Sequence, residues 1–584
     1  MRVLGLAAFQ RDSSAALCVD GELVAAAQEE RFSRKLADHG LPRRAARECL
    51  RRAGLEFRDL DALVFFEKPL RKFERTLAAQ LHAFPRSART FSDGLFLWLG
   101  DRLWIRARLA EEFGVEPRRV QFVEHARAHA ALAFHSSGCD EAAVLVVDDF
   151  GEWATTTLAR GRGTQLETLA ELHFPHSLGL WYSAFTQFLG LEPGLDEARL
   201  EALARWGEPR FEREVAATVP ELGGGAYRID ERCFRFAFDG ERLFERELER
   251  RLAPVYGPPR AAGSALRIAR GAGKLDGDGD GRDADLAASV QRVLEARVLA
   301  LARELHARTG CATVCLGGEV FRNRSLVARL AADGPFEHVT ASPAVGEAGA
   351  AAGAALEYSR QSSRAEGAPR RASAASFALG APLDEELDDG DGALNLESDE
   401  HAVAALAEAL RAGRTAAWVR GPLELGHASV SQRLILAAAA GSTAREDLLG
   451  ALQRAEPCAP VRVLVPSECA SEWIHLAPAA WQPAHVGACT SMASDALRAF
   501  APSCVAPDGA VWAQLVARES DAPLHALLLR LGAAVGAPLA LAADFHLRGQ
   551  PLVRTAAEAL DAYRRSSLDV LVVGARLYGE TRVT

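Results

Sequence analysis

The residues whose types and spacing best fit chemistry are two histidines in the run HARAH, His125 and His129. Four residues apart on a helix, their imidazoles share one face and can bind one ion. Such a pair is common both in cores and on surfaces, so it needs further ligands to mean anything. Two carboxylates supply them. Asp148 ends a run of buried-strand type, Ala142–Val147, and Glu347 opens an alanine-rich helical stretch, Gly346–Tyr358. Carboxylates at such edges reach into a cleft. Two imidazoles with two carboxylates suit a divalent cation such as Fe, Mn or Mg.

The elements that must hold these groups read as two copies of one unit. Val3–Phe9, Ser14–Val19 and Glu22–Ala27 are strand-like, and Asp20-Gly21 between the last two is a strong hairpin signal. Helix Arg43–Ala53 and strand Ala62–Phe66 follow. The pattern recurs at Ala142–Val147, Ala154–Ala159 and Leu166–Leu172, and the amphipathic stretch Asp285–Gly310 leads into strand Ala312–Leu316. Duplicated strand–strand–strand–helix units predict an actin/Hsp70-like α/β fold, with a nucleotide in the cleft between the halves. Residues 361–394 turn to Ser, Ala, Arg and Gly and then to Asp and Glu, which reads as a linker. The expected domains are therefore 1–360 and 395–584. The second carries helical and strand patterns in alternation, among them His401–Ala412, Thr415–Val419, Ala522–Val535, Pro538–Ala542, Ala556–Arg565 and Val570–Val573.

A chain of 584 residues exceeds a single core. A formal net charge of −10 leaves no electrostatic footprint for nucleic acid or for an anionic membrane. No uncharged apolar run approaches the ~18 residues of a membrane span, and the N-terminus lacks the apolar core of a signal peptide. The ten cysteines are scattered, with no C-x-x-C. A reduced, cytoplasmic setting is expected rather than a disulfide framework or a zinc ribbon.

Several segments carry a family resemblance: DSSAALCVDGELVAAAQEERFSRK (Asp12–Lys35), FFEKPLRKFER (Phe65–Arg75), GEWATT (Gly151–Thr156), HFPHSLGLWYSAFTQFLG (His173–Gly190) and DLAASVQ (Asp285–Gln291). They resemble the NodU/TobZ-type carbamoyltransferases, nearly end to end. The resemblance implies a threonylcarbamoyl-transferase-like, actin-like N-terminal domain and a YrdC-like C-terminal domain. It implies that the second makes carbamoyl-adenylate from carbamoyl phosphate and ATP. The first would then pass the carbamoyl group to a hydroxyl of a small biosynthetic molecule. His125, His129, Asp148 and Glu347 fall where the family's metal ligands fall, with Glu347 in place of Asp. Asp12 falls at a catalytic position, and Glu197, Gly318 and Asn323 fall in the adenylate-binding segments.

The departures from that pattern concern charge. The histidine expected before Asp12 is Arg11, which cannot act as a base. In GGEVFRN (Gly317–Asn323), Glu319 stands where a bare glycine is expected. An unpaired carboxylate ~4–6 Å from a phosphate costs about 3–4 kcal/mol at an effective dielectric near 20. Pairing of Glu319 with Arg322 or Arg324 is the benign alternative. In the second domain, GPLELGHASVSQRLI (Gly421–Ile435) keeps Glu424, Gly426 and Arg433 but has Pro422 and Ala428 where arginines are expected. QRAEPCAPVRV (Gln453–Val463) loses its matched cations, with Arg454 and Arg462 out of register. HVGACTS (His485–Ser491) has neither of its expected Asp and Arg, and AADFHLRGQP (Ala542–Pro551) keeps Arg548 while Asp544 replaces Ser. Each lost arginine–phosphate contact removes roughly 1.5–3 kcal/mol. An inactive adenylate-forming site with Glu424, Arg433 and Arg548 as its remnant is therefore expected.

Two functions stay open on the sequence. One is an O-carbamoyltransferase that keeps the transfer step. The other is a non-catalytic partner that pairs with an active homologous carbamoyltransferase, as a homo- or heterodimer.

Overall fold

The Asp20-Gly21 turn shapes the first sheet. Both residues sit at positive φ, 51° and 84°, the mirror-image turn whose twist matches that of its strands. It joins β2 (Ser14–Val19) antiparallel to β3 (Glu22–Gln28). β1 (Arg2–Ala7) pairs antiparallel with β2 and parallel with β4 (Ala62–Phe65), and β5 (Val120–Phe122) lies parallel beyond it. The order is β3-β2-β1-β4-β5.

The second unit repeats this order. β6 (Glu141–Val147), β7 (Ala154–Arg162) and β8 (Gln165–His173) form an antiparallel meander. Two ribbons follow, β9 (Glu221–Gly223) with β10 (Ala226–Tyr227) and β11 (Arg267–Ile268) with β12 (Leu275–Asp276). β13 (Thr313–Gly317) then adds parallel to β6, and β14 (His338–Ala341) parallel to β13, giving β14-β13-β6-β7-β8. Two sheets of one strand order make the N-terminal half a duplicated, actin/Hsp70-like fold.

The computed structural model describes residues 1–263, 267–268, 275–276, 281–362, 377–386, 392–441, 443–452, 461–476 and 489–579. Much of the expected linker, Arg454 and the start of HVGACTS lie outside them.

The C-terminal half is α/β, built on one mixed sheet. Its strands are β15 (Leu394–Asn395), β16 (Ala416–Val419), β17 (Arg433–Ala438), β18 (Arg462–Pro466), β19 (Ile474–His475), β20 (Cys489–Ala493), β21 (Ala510–Val516), β22 (Ala540–Asp544), β23 (Val570–Val573) and β24 (Arg576–Tyr578). The order is β15-β24-β23-β16-β17-β22-β18-β21-β20-β19. Alternate residues of β16 and β17 feed two separate apolar clusters, one on each face, so the apolar scaffold of the domain is intact. Among the described residues no helix is long and apolar enough to cross a membrane.

The halves are clamped by the EERFSR segment. Buried Arg31 donates from Nη2 to the Gly426 carbonyl at 2.8 Å and pairs with Glu30 at 3.0 Å. Arg34 donates to the Leu552 and Pro551 carbonyls at 2.7 and 2.9 Å. Cutting one partner from a buried ion pair costs about 3–5 kcal/mol. Arg31→Met is therefore expected to lower the unfolding free energy by about 3 kcal/mol in urea denaturation, and to expose the Gly426 loop to protease.

Candidate active site

Helix His125–His135 turns both imidazoles the same way, and their Nε2 atoms lie 3.1 Å apart. Asp148 follows β6 directly. Its Oδ2 is 2.7 Å from His125 Nε2 and 3.1 Å from His129 Nε2. Glu347 sits in the turn that opens helix Ala350–Ser362, with Oε1 at 3.2 and 3.9 Å from the same two nitrogens. All four side chains are buried. The backbone N–H groups of Asp149 and Glu319 each donate to Asp148 Oδ1 at 3.0 Å, which fixes the carboxylate and aims Oδ2 at the histidines.

This donor set fits a divalent cation. Two nitrogens and two oxygens converge within 4.8 Å, and Glu347 Oε2 is buried beside them without a hydrogen-bond partner. The electrostatics agree. Burial disfavours a charged imidazole, yet Asp148 and Glu347 overcome it, holding His125 well above its usual range and pushing His129 up to about 9. The site attracts positive charge at the imidazoles, as a proton or as a metal ion.

A cavity of about 600 Å³ opens between the halves of the chain; it is lined by Asp149 and Glu319, whose N–H groups hold Asp148, but by none of the four quartet residues. On the N-terminal side Arg11 forms an ion pair with Asp149, donates to the Gly194 carbonyl, and lies 3.9 Å from Glu197. Asp12 is buried at φ 60°, a strained backbone position typical of functional sites. Burial pushes its carboxyl up to about 6, against the pull of Arg322. Glu319 is not bare. It pairs with Arg322 and accepts the Glu347 N–H at 3.0 Å, and against burial Arg322 and Arg11 draw it down to about 2. The electrostatic penalty expected of an unpaired Glu319 does not apply, because its charge is neutralised in place.

Some expected site residues belong to the scaffold instead. Gly318, at φ 93°, lets the chain pass the Val147 backbone, whose carbonyl carbon would lie 2.8 Å from an added Cβ, and it does not line the cavity. Asn323 borders the cavity, but its amide caps a helix through Leu326 N–H at 2.8 Å and is hydrogen-bonded to Gln291. Glu424 accepts from Ser429 Oγ and from the backbone N–H groups of Val430 and Ser431, at 2.5, 3.0 and 2.8 Å, and so shapes its own loop. Buried Arg433 is occupied by backbone carbonyls, among them Val553 at 3.1 Å. Neither Glu424 nor Arg433 reaches the cavity. Arg548 does.

Cations missing from their expected positions are partly replaced from elsewhere. Arg462, one of the out-of-register arginines, lines the cavity, but it pairs with Asp544 at 3.1 Å and donates to the Ser429 carbonyl. Arg324 reaches the same space and lies over the Trp512 ring, 5.4 Å from its centroid. The residue that sequence reasoning missed is His427. Its Nε2 lies 3.4 Å from Asp12 Oδ2 at the cavity wall. Nothing in GHAS marks it; only the docking of the halves brings a residue 415 positions away against Asp12.

Burial and Arg322 push His427 down to about 3, against the opposing pull of Glu319 and Glu30. Its contribution to stability is therefore complete above the unfolded-state value of 6.5 and is lost as pH falls from there toward 3. His427→Gln is expected to unfold at a lower pH than wild type in an acid titration followed by circular dichroism.

Residues 2–356 match the Carbamoyltransferase N-terminus family and residues 407–579 the Carbamoyltransferase C-terminus family. The chain is 31% identical over 607 residues to the uncharacterized protein sll1178 of Synechocystis sp., covering 98% of this chain and 95% of that one. It is 28% identical over 580 residues to the nodulation protein NolNO of Sinorhizobium fredii, covering 97% and 79%. Among solved structures, component A of the (R)-2-hydroxyglutaryl-CoA dehydratase of Acidaminococcus fermentans aligns with 62% of this chain and 98% of its own, at 14% identity and a TM-score of 0.32. With both family regions matched across most of its length, the chain belongs to the carbamoyltransferase family.

Proposed function

We propose that this protein transfers a carbamoyl group from carbamoyl-adenylate to a hydroxyl of a small molecule in the cleft beside the His125–His129–Asp148–Glu347 quartet, and that its C-terminal half no longer forms the adenylate efficiently. The observation that carries the first part is the convergence of four buried ligands next to a cavity of ligand size. A divalent ion there, Fe, Mn or Mg, would supply Lewis-acid stabilisation of the bound adenylate. The chain's own groups bind and orient: Arg324 and Arg548 offer positive charge to a phosphate, while Asp12 faces the same space.

The second part rests on where the second domain's cations point. Forming an acyl-adenylate brings two polyanions together while charge develops on the transferring phosphoryl group. Arg433 is occupied by backbone carbonyls and Arg462 by Asp544 and Ser429, so neither is poised for that charge.

The test incubates the protein with carbamoyl phosphate and labelled ATP, and separately with carbamoyl-adenylate, each with and without Fe(II) or Mn(II). Metal-dependent release of AMP from carbamoyl-adenylate, with little pyrophosphate from ATP, is expected. Rapid pyrophosphate release would overturn the second part, and inert carbamoyl-adenylate the first. A non-catalytic partner role is favoured by one observation, the capture of Arg11 by Asp149 and Gly194 where a free base is expected. It predicts a stable complex with a homologous chain and no turnover.

A further inference from the structure

The geometry points to His427, delivered by the second half of the chain, as the base that accepts the proton of the attacking hydroxyl in the cleft of the first half. This rests on the carbamoyl-transfer reading and goes beyond it, because it makes the transfer site a composite of both domains.

A hydroxyl that attacks a carbamoyl carbon must lose its proton, and several of the groups lining the cavity are already engaged or unsuited to accept it. Arg11 is cationic and has no lone pair to offer. The Asp149 carboxylate is held by Arg11, and that of Glu319 by Arg322. Glu201 accepts from both the N–H and the Oγ of Ser325 at 2.8 Å. Glu197 accepts from Ser183 Oγ at 2.6 Å and from Gly194 N–H at 2.5 Å. His427 differs. Its Nε2 is shielded from bulk water and has no hydrogen-bond partner, while Asp12 Oδ2 waits 3.4 Å away.

The imidazole is also held in place. Gly426, at φ 127°, receives Arg31 on its carbonyl and offers its N–H to Gln28 Oε1 at 3.3 Å. On the other side Ser429 is tied to Glu424 at 2.5 Å. His427 is thus fixed between two anchors, one of which belongs to the first half of the chain. A base must be positioned before its strength matters.

The charges around it favour work on an anionic substrate. Arg322 and Arg31 oppose an imidazolium, whereas Asp12, Glu319 and Glu30 stabilise one. A phosphate bound in the cavity adds its negative charge to the second group. In the step, the hydroxyl oxygen forms a bond to the carbamoyl carbon and its proton passes to His427 Nε2. The bond from that carbon to the phosphate oxygen breaks, and AMP leaves with the electron pair. Asp12 steadies the imidazolium until the proton passes to solvent.

The test uses the full-length protein with Mn(II) and carbamoyl-adenylate, water serving as the acceptor, and follows AMP. His427→Gln is expected to lose roughly 100-fold or more in kcat, with KM for carbamoyl-adenylate changed by less than about threefold. Free imidazole is expected to restore part of the rate in His427→Ala, which a purely structural role would not allow. Wild-type kcat in His427→Gln, or no rescue of a folded His427→Ala, overturns the assignment while leaving carbamoyl transfer standing. No AMP release from the wild type removes the transfer reading and this inference together.

Discussion

Asp148→Asn is expected to strip the protein of divalent metal while costing less stability than Asp148→Ala. The two oxygens of Asp148 have separate duties. Oδ1 accepts from two backbone N–H groups, and Oδ2 faces both histidine Nε2 atoms. An asparagine keeps the first duty with its oxygen and turns its NH2 toward the imidazoles, which can accept from it when neutral. The backbone hydrogen bonds survive; the anionic metal ligand, and the charge that holds the histidines protonated without metal, do not. Losing a ligand should exceed the effect of losing an outer partner, so an affinity drop on the order of 100-fold or more is expected by Mn(II) titration. Asp148→Ala, by contrast, leaves the Asp149 and Glu319 N–H groups without an acceptor in a buried site and should cost about 3–5 kcal/mol in urea. If Asp148→Asn binds Mn(II) like wild type, the quartet is not the metal site.

What could be read from the sequence follows from how local each signal is. The strand–turn–strand of Ser14–Gln28 is legible because its turn residues adopt the backbone angles that Asp-Gly favours. The pairing of His125 with His129 is legible because helical spacing alone sets it. The state of Glu319 is not, since whether its charge is bare depends on which arginine rotamer reaches it. Sequence leaves Arg322 and Arg324 as equal candidates; in the fold Arg322 closes on Glu319 and Arg324 turns to Trp512. The same holds for Glu424 and Arg433, which match a motif by letter. Their partners come from the loop 429–432 and the segment 553–554, so their role is set by tertiary packing. His427 is the extreme case, a single residue whose chemistry exists only across the domain junction.

Gly353→Ala should damage the metal site from behind, through packing alone. Gly353 lies in helix Ala350–Ser362 against the histidine-bearing helix. A Cβ there would overlap the carbonyl oxygen of Ala128, lie 2.7 Å from its carbonyl carbon and 3.2 Å from Leu132 Cβ. The obstacle is backbone and cannot rotate aside, so the helices must separate. Alanine in place of glycine in a helix favours the variant by up to ~1 kcal/mol, but overpacking of a buried contact costs about 1–3 kcal/mol or more. Net destabilisation is expected. Ala128 sits between His125 and His129, and the helix of Gly353 begins at Glu347's turn, so separation pulls that carboxylate from the two imidazoles. Mn(II) affinity should therefore fall in parallel with stability, although no ligand has been changed. Gly450→Ala is the control, an exposed helical glycine whose added Cβ would meet nothing within 4 Å. It should be neutral or stabilising by up to ~1 kcal/mol and leave Mn(II) binding intact. Wild-type metal affinity in Gly353→Ala would mean that the His125–His135 helix yields without disturbing its histidines, and that the close helix contact has no part in holding the quartet.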